Sequence, residues 1–199
     1  MNKFLPIAFV AVLLSAMTAQ GQQIQVDKVD VKGISAETQP TPEFRAGNVK
    51  DKSNPSPRDW LEVEVEFEAS ANERGAAIPE LLFRYYVAIQ GKDGQTQVLT
   101  GDVTHVNVVS GEKYYSAIYV SPMSLGTITG NYRKFQTSAI QAVAVEVFFN
   151  GVSKGGESQG GPGGRWWESM ATKPGVLSRE KTPFGLLWID RYADVKPTE

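Results

Sequence analysis

Three scarcities in the composition limit the chemistry that this chain can carry out. The 199-residue sequence contains no cysteine, which excludes disulfides, thiolate metal sites and cysteine nucleophiles. It contains a single histidine, His105, so a zinc centre with three or four ligands is not expected. Lysine and arginine number 20 against 22 acidic residues, a balance without the clustered positive charge that attracts nucleic acid. The composition therefore predicts no cofactor, no metal and no nucleic-acid partner.

The N-terminus has the layout of a secretory signal peptide. Lys3 supplies a positive charge, residues 4–17 are almost continuously apolar, and Ala19-Gln20-Gly21 fits a cleavage site between small residues. We expect residues 1–21 to be removed and the mature protein to be exported to the periplasm, the outer surface or the medium. No later apolar run reaches the ~18 residues needed to cross a bilayer, so no transmembrane span is expected in the mature chain.

Alternation of apolar and polar residues is the strongest pattern in the mature sequence. Residues 61–68 alternate strictly between an apolar and an acidic set, namely Leu61, Val63, Val65 and Phe67 against Glu62, Glu64, Glu66 and Glu68. This period of two predicts a β-strand with one dry and one wet face. Because four glutamates in one row repel each other, basic residues on adjacent strands are expected to neutralise them.

The same pattern, with turn signals between the runs, predicts further strands. They cover residues 24–31, 81–90, 97–109, 114–120 and 139–149, and residues 97–109 form one or two strands around Gly101. A phase slip at Asp27–Lys28 predicts a β-bulge in the first of them, and the second is apolar on both faces, which favours a central position. Asn150–Gly151 predicts a tight hairpin, because both residues tolerate positive φ. The segment from Met123 to Lys134 is either a short helix or an irregular crossover.

Two segments read as loops. Residues 33–57 contain four prolines and few apolar residues, which predicts a long surface excursion. Residues 155–164 contain six glycines, which predicts a hairpin extension that is mobile or tightly packed. A phosphate-binding loop is not supported, since Arg165 follows the last glycine where that motif needs lysine and then serine or threonine.

Together these features predict an all-β protein. Strands at this spacing, with no crossover helices, favour an antiparallel β-sandwich with long loops and at most one short helix. Residues 22–199 are expected to form a single domain. A closed barrel is the alternative, and the proline-rich segment and the unequal strands favour the sandwich.

No catalytic constellation stands out in the sequence. His105 lies in the middle of a predicted strand with no nucleophile or orienting carboxylate beside it, which favours a structural role. Carboxylates are abundant, but no facing pair of the kind that glycosidases use is singled out. We therefore predict that the protein is not an enzyme, and an exported hydrolase is the least favoured interpretation.

The adjacent tryptophans Trp166 and Trp167 are the candidate contact residues for a ligand or a partner. In a strand, neighbouring side chains point to opposite faces, so one indole could fill the core while the other stacks on a sugar or anchors a protein. The alternative is that both rings cover the open end of the sandwich.

Several turn, proline and aromatic motifs together resemble one known family. They are Arg58-Asp59-Trp60-Leu61-Glu62-Val63, residues 99–104, Tyr119-Val120-Ser121-Pro122, Asn150-Gly151, Trp166-Trp167, Thr182-Pro183-Phe184, Leu187-Trp188 and Asp190-Arg191-Tyr192. The chain resembles, over residues 26–196, a pilus-like family of exported proteins from Verrucomicrobia and relatives. The resemblance implies an immunoglobulin-like sandwich associated with type IV pilus-like gene clusters, and it supplies no catalytic residues.

The sequence is compatible with two functions. The first is a non-enzymatic pilus-like or cell-envelope protein that contacts other proteins, or further copies of itself, through sheet edges and loops. Its N-terminal strand could, for example, add to the open edge of a neighbour. The second is a glycan-binding module that uses exposed aromatic residues.

Overall fold

A computed structural model describes residues 23–45, 47, 48, 50 and 56–197. The predicted signal peptide, residues 1–21, lies outside the described residues. The described part contains nine strands and one α-helix, which are β1 (Val26–Pro40), β2 (Asp59–Ala71), β3 (Ala77–Gln90), β4 (Thr96–Val109), β5 (Lys113–Val120), α1 (Pro122–Thr129), β6 (Ile140–Phe149), β7 (Val152–Gly160), β8 (Thr172–Pro174) and β9 (Val176–Ser178).

The strands form two sheets that pack face to face. One sheet has the order β1-β2-β5-β9 and the other the order β7-β6-β3-β4-β8. Neighbouring strands are antiparallel, with the exception of the short parallel pair β4–β8. The predicted all-β sandwich is therefore confirmed, and β3 lies in the centre of its sheet as its two apolar faces indicated.

The core lies between the sheets and follows the period of two. The apolar residues at odd positions 61–67 of β2 are fully buried, while the glutamates between them point outward. Phe67 of β2 packs on Phe83 of β3 with ring centroids 4.6 Å apart. Burial of such aromatic and aliphatic side chains, worth roughly 1.5–3 kcal/mol each, holds the two sheets together.

The crossover from β5 to β6 contains the helix α1. Ser121 caps its N-terminus by accepting a hydrogen bond from the backbone N–H of Ser124 at 3.2 Å, and Pro122 follows as the first helical residue. Gly130, at φ 83°, ends it. This sequence of serine, proline and glycine matches the residues preferred at helix ends, and it settles the ambiguous segment as a short helix.

Strand β1 is longer than the sequence indicated. The predicted bulge is confirmed by a register shift between Val26 and Lys28, and a second shift follows between Lys32 and Ile34. Gly33, at φ 65°, absorbs this second shift, after which pairing with β2 continues to Pro40. The prediction of a surface excursion is therefore wrong for residues 33–40. The second bulge resets the alternation, which hides the strand from a simple pattern.

The glycine-rich segment is also partly regular. Asn150 and Gly151, with φ angles of 48° and 77°, form the predicted hairpin turn after β6. The chain then returns as β7 and pairs with β6 as far as Gly160. The flexible extension expected for residues 155–164 is thus a paired strand in its first half.

Candidate interaction surfaces

A β-sandwich has two open sides, and the C-terminal segment closes one of them. Residues 176–178 add to the edge of β5 as β9, and residues 172–174 add to the edge of β4 as β8. Further along, Val106 N–H donates to the carbonyl of Asp194 at 3.0 Å, and Lys196 N–H donates to that of Thr104 at 2.8 Å. The edges of β4 and β5 are thus covered by the chain itself, which protects them from other strands.

The opposite side, between β1 and β7, is closed only in part. Near Val29, β7 lies so close that a Cβ placed on Gly155 would collide with the Val29 carbonyl oxygen. Glycine is therefore required there so that the two backbones can approach. Within the described residues, however, β2 is the sole ladder partner of β1.

The second half of β1 borders an open groove, which we call the edge groove. Residues 34–37 of β1 line one side, and residues 140–143 and 159–160 of β6 and β7, with Thr137, complete the lining. Its volume is about 450 Å³. Ile34, Ala36 and Ile140 pack against the core at this position. The groove thus combines apolar side chains, set among polar ones such as Gln141 and Gln159, with a strand edge that has no partner strand in the described structure.

The only histidine lies in the core with a serine beside it. His105 on β4 and Ser116 on β5 are 1% and 0% exposed, and Nε2 of His105 lies 2.7 Å from Oγ of Ser116. The hydroxyl of Tyr85 donates to the same Oγ at 2.6 Å. Sequence reasoning missed this pair, since the two residues come from different sheets and no local spacing signals their contact.

The hydrogen bonds of this cluster are complete when the imidazole is neutral. Nδ1 of His105 lies 3.2 Å from the carbonyl oxygens of Ala193 and Asp194, so it carries the proton. Nε2 then accepts from Ser116, which accepts from Tyr85. Burial is the largest cause that lowers the pKa of His105, to about 4. A histidine and a serine at this distance could form a catalytic pair, but substrate has no access to either side chain here.

Most of the outward glutamates of β2 have basic partners, as the sequence predicted. Glu68 pairs with Lys32, Glu66 with Lys113 and Glu64 with Arg191. The first two partners lie on the adjacent strands, whereas Arg191 comes from the C-terminal segment. Burial raises the pKa of Glu64, but hydrogen bonds from Arg191 and Tyr192 outweigh it, so the pKa is lowered overall.

The tryptophan pair lies on a 3₁₀ turn, Trp166–Ser169, and not on a strand. Both indoles are buried, at 4% and 7% exposure, against the outer face of the sheet that contains β3 and β6. Trp167 stacks on Tyr86 with centroids 5.3 Å apart, and its Nε1–H donates to the buried carboxylate of Glu146 at 3.0 Å. The idea that one ring fills the core between the sheets while the other is exposed is therefore wrong. A ligand contact through these residues stays a prediction.

Residues 23–45, 47, 48, 50 and 56–197 contain no cluster of three or more metal-ligating side chains. Within the same ranges, no helix has the length and apolarity required to span a membrane.

Taken together, the fold and its surfaces define an all-β sandwich with one sealed side and one half-open side. A protein-family model matches residues 19–199, nearly the whole sequence. The chain therefore belongs to that family, a family of Akkermansia muciniphila and the Verrucomicrobia, and the verrucomicrobial resemblance predicted from its motifs is confirmed at this level.

A solved structure agrees with this placement. The crystal structure of a protein from Akkermansia muciniphila is 26% identical in sequence and superimposes with a TM-score of 0.71. The match covers 89% of this chain and 96% of that protein. No curated protein sequence matches the chain significantly.

Proposed function

We propose that the protein is an exported, non-enzymatic, pilus-like component of the cell envelope that binds other proteins through the free half of the β1 edge. The observation that carries the proposal is the contrast between the two sides of the sandwich. The β4–β5 side is covered by the C-terminal segment, whereas residues 34–40 of β1 pair only with β2 in the described structure, and residues 34–37 border the edge groove. Long uncovered edges are sites of strand addition unless a protein blocks them.

Strand addition would supply both affinity and register. A partner strand can hydrogen-bond with the outer N–H and C=O groups of β1, while its alternate side chains enter the edge groove beside Ile34 and Ala36. The N-terminal strand of this chain is itself paired with β2, so the donor of the added strand is another segment. Envelope proteins and a second copy of the chain are the candidate donors.

The strand order supports an immunoglobulin-like assignment. Strands β7-β6-β3-β4 face β1-β2-β5, which corresponds to the order G-F-C-C′ against A-B-E in immunoglobulin-like sandwiches. Such sandwiches serve widely as contact modules at cell surfaces. The signal-peptide pattern of residues 1–21 supports export, and the resemblance to the pilus-like family supports an envelope location.

Burial of the reactive side chains supports a role without catalysis. His105, Ser116 and Tyr85 bond to one another inside the core, and their hydrogen bonds fix the packing of the two sheets. The buried carboxylate of Glu146 likewise accepts from Trp167 and Tyr86. These groups stabilise the fold and are not presented to a substrate.

Site-specific crosslinking tests the proposal. Because the natural sequence contains no cysteine, an introduced cysteine is the single thiol in each variant. Ala36→Cys places a thiol in the edge groove, and Val152→Cys places a control thiol at a position 58% exposed beyond the β6–β7 turn. Intact cells that produce either variant are treated with a thiol-to-amine crosslinker. We expect a discrete crosslinked product in the envelope fraction for Ala36→Cys alone. Equal products for both variants, or a free monomer for both, would contradict the proposal.

A further inference from the structure

The free half of β1 has two chemically different faces. Ile34 and Ala36 pack toward the core beside the edge groove, whereas Ser35, Glu37 and Gln39 face outward. In register, these outward residues lie opposite Glu64, Glu62 and Trp60 of β2. A strand that adds to this edge would place alternate side chains beside each face.

The outward face forms a second depression, which we call the glutamate cleft. Its volume is about 430 Å³. Ser35, Glu37 and Gln39 of β1, Glu62 and Glu64 of β2, and Trp188, Arg191 and Tyr192 of the C-terminal segment line it. Three carboxylates thus share one cleft with a single cation.

This cleft is short of positive charge. Glu37 lies directly opposite Glu62, and like charges in that position destabilise a sheet. Among the described residues, neither of the two forms an ion pair, whereas Glu64, Glu66 and Glu68 each have one. Burial raises the pKa of Glu62, and the charges of Glu64 and Glu37 raise it further, in spite of a hydrogen bond from Tyr119.

An exposed tryptophan borders the same cleft. Trp188 is 51% exposed and has a positive φ of 51°. Its neighbour Leu187 is held through its carbonyl oxygen, which accepts a hydrogen bond from the buried Arg179 at 2.7 Å. Leu186 and Ile189 beside it are also exposed. An indole face near carboxylates favours a cation, and an apolar rim favours a protein as its source.

We propose that the segment that adds to the free half of β1 alternates apolar residues with lysine or arginine. Its apolar side chains enter the edge groove, and its basic side chains lie over the glutamate cleft, where they neutralise Glu37 and Glu62. This inference rests on the proposed function and adds the chemistry of the partner. A basic side chain would relieve the repulsion between these glutamates. Any added strand can form the same backbone hydrogen bonds with β1, so the negative charge of the cleft selects strands that carry basic residues.

Synthetic peptides of defined pattern test this inference on the purified protein. One peptide alternates valine and lysine, a second alternates valine and glutamate, and a third has the composition of the first with its valines and lysines in separate blocks. Binding is measured by calorimetry and by the fluorescence of tryptophan. We expect the alternating basic peptide to bind at least about tenfold more tightly than either other peptide, and its affinity to fall as salt rises.

Variants of the cleft make the test specific. Glu37→Gln should weaken the alternating basic peptide by about three- to tenfold, whereas Glu112→Gln, the same change at an exposed turn between β4 and β5, should leave it unchanged. Glu37→Lys should shift the preference toward the valine–glutamate peptide. Equal binding of all three peptides, or binding that Glu37→Gln does not alter, would overturn the inference.

Two further outcomes separate this inference from the proposed function. If Ala36→Cys is crosslinked in cells while the peptides show no preference for charge, the result supports binding at the β1 edge and overturns the inference that the partner strand is basic. Titration with oligosaccharides that changes the tryptophan fluorescence, with no response to any peptide, would replace the protein partner by a glycan and overturn the inference.

Discussion

The imidazole Nε2 of His105 lies 2.7 Å from the hydroxyl Oγ of Ser116, and this contact joins the two sheets through the core. His105 belongs to β4 and Ser116 to β5, and the hydroxyl of Tyr85 on β3 extends the chain of hydrogen bonds. Each member has its donors and acceptors satisfied only while the imidazole is neutral. A pair that could serve catalysis in an open cleft therefore acts here as a polar link in the core.

Stability should consequently decrease in mildly acidic solution. The pKa of His105 falls from 6.5 to about 4 on folding, so the unfolded chain binds a proton between these values and the folded chain does not. The contribution of neutral His105 to the free energy of unfolding is fully present above pH 6.5 and is lost as the pH falls toward 4. Its size is about 3 kcal/mol, since each pKa unit corresponds to about 1.4 kcal/mol.

Urea unfolding of the native protein and of His105→Gln at several pH values measures this contribution. The variant is expected to be less stable at pH 7, because it loses part of the hydrogen-bonded cluster, but to have the shallower pH dependence between 6.5 and 4. Parallel curves for the two proteins would show that folding does not shift the pKa of His105, which would contradict the prediction.

The contact between β1 and β7 predicts a glycine requirement. Gly155→Ala should destabilise the protein by about 1–3 kcal/mol, because the added Cβ meets the carbonyl oxygen of Val29 and forces the two strands apart. Gly47→Ala is the matched control, since nothing lies within 4 Å of a Cβ there and its φ is not positive. Thermal unfolding compares the two, and equal melting temperatures would mean that β1 and β7 do not touch at Gly155.

The tryptophan pair should matter for stability. Trp167→Ala is expected to cost about 3–5 kcal/mol, because it removes a large buried side chain, and it also leaves Glu146 without one donor. Trp188→Ala, at an exposed position, should cost far less. Denaturant unfolding of both variants measures the contribution of each tryptophan to stability, and a glycan array measures its contribution to glycan binding. If Trp167→Ala kept full stability and lost glycan binding, the pair would be a ligand contact.

A buried aliphatic residue gives the simplest test of the strand phase. Val145 of β6 is fully buried, so Val145→Asp should cost several kcal/mol by placing an unpaired charge in the core. Ser153→Asp, at an exposed position on β7, should be nearly neutral. Similar melting temperatures would contradict the assignment of the inward face of β6.

The sequence predicted those elements whose signal is local. The alternation of residues 61–68 identifies β2 because burial on one face requires a period of two, and Asn150–Gly151 identifies the hairpin because its backbone angles suit those residues. The free half of β1 was missed because the bulge at Gly33 shifts the alternation of inward and outward residues. After the bulge, Ile34 and Ala36 are the apolar residues that face inward, which is too short a pattern to indicate a strand.

Contacts between distant parts of the chain could not be predicted in the same way. Arg191 neutralises Glu64 across 127 positions in the sequence, and His105 meets Ser116 only because the sheets pack face to face. The strand interpretation of the tryptophans was wrong, because a 3₁₀ turn, unlike a strand, allows both adjacent rings to bury against one surface. The candidate surfaces follow from such packing and thus needed the structure.

Hydrogen–deuterium exchange of residues 34–40 tests the central claim most directly. The isolated protein and the protein in its native envelope are labelled in parallel, and peptides from both halves of β1 are compared by mass spectrometry. We predict that residues 34–40 exchange faster than residues 26–32 in the isolated protein and become protected in the envelope. Exchange that is the same in both preparations would contradict a partner strand on the free edge of β1.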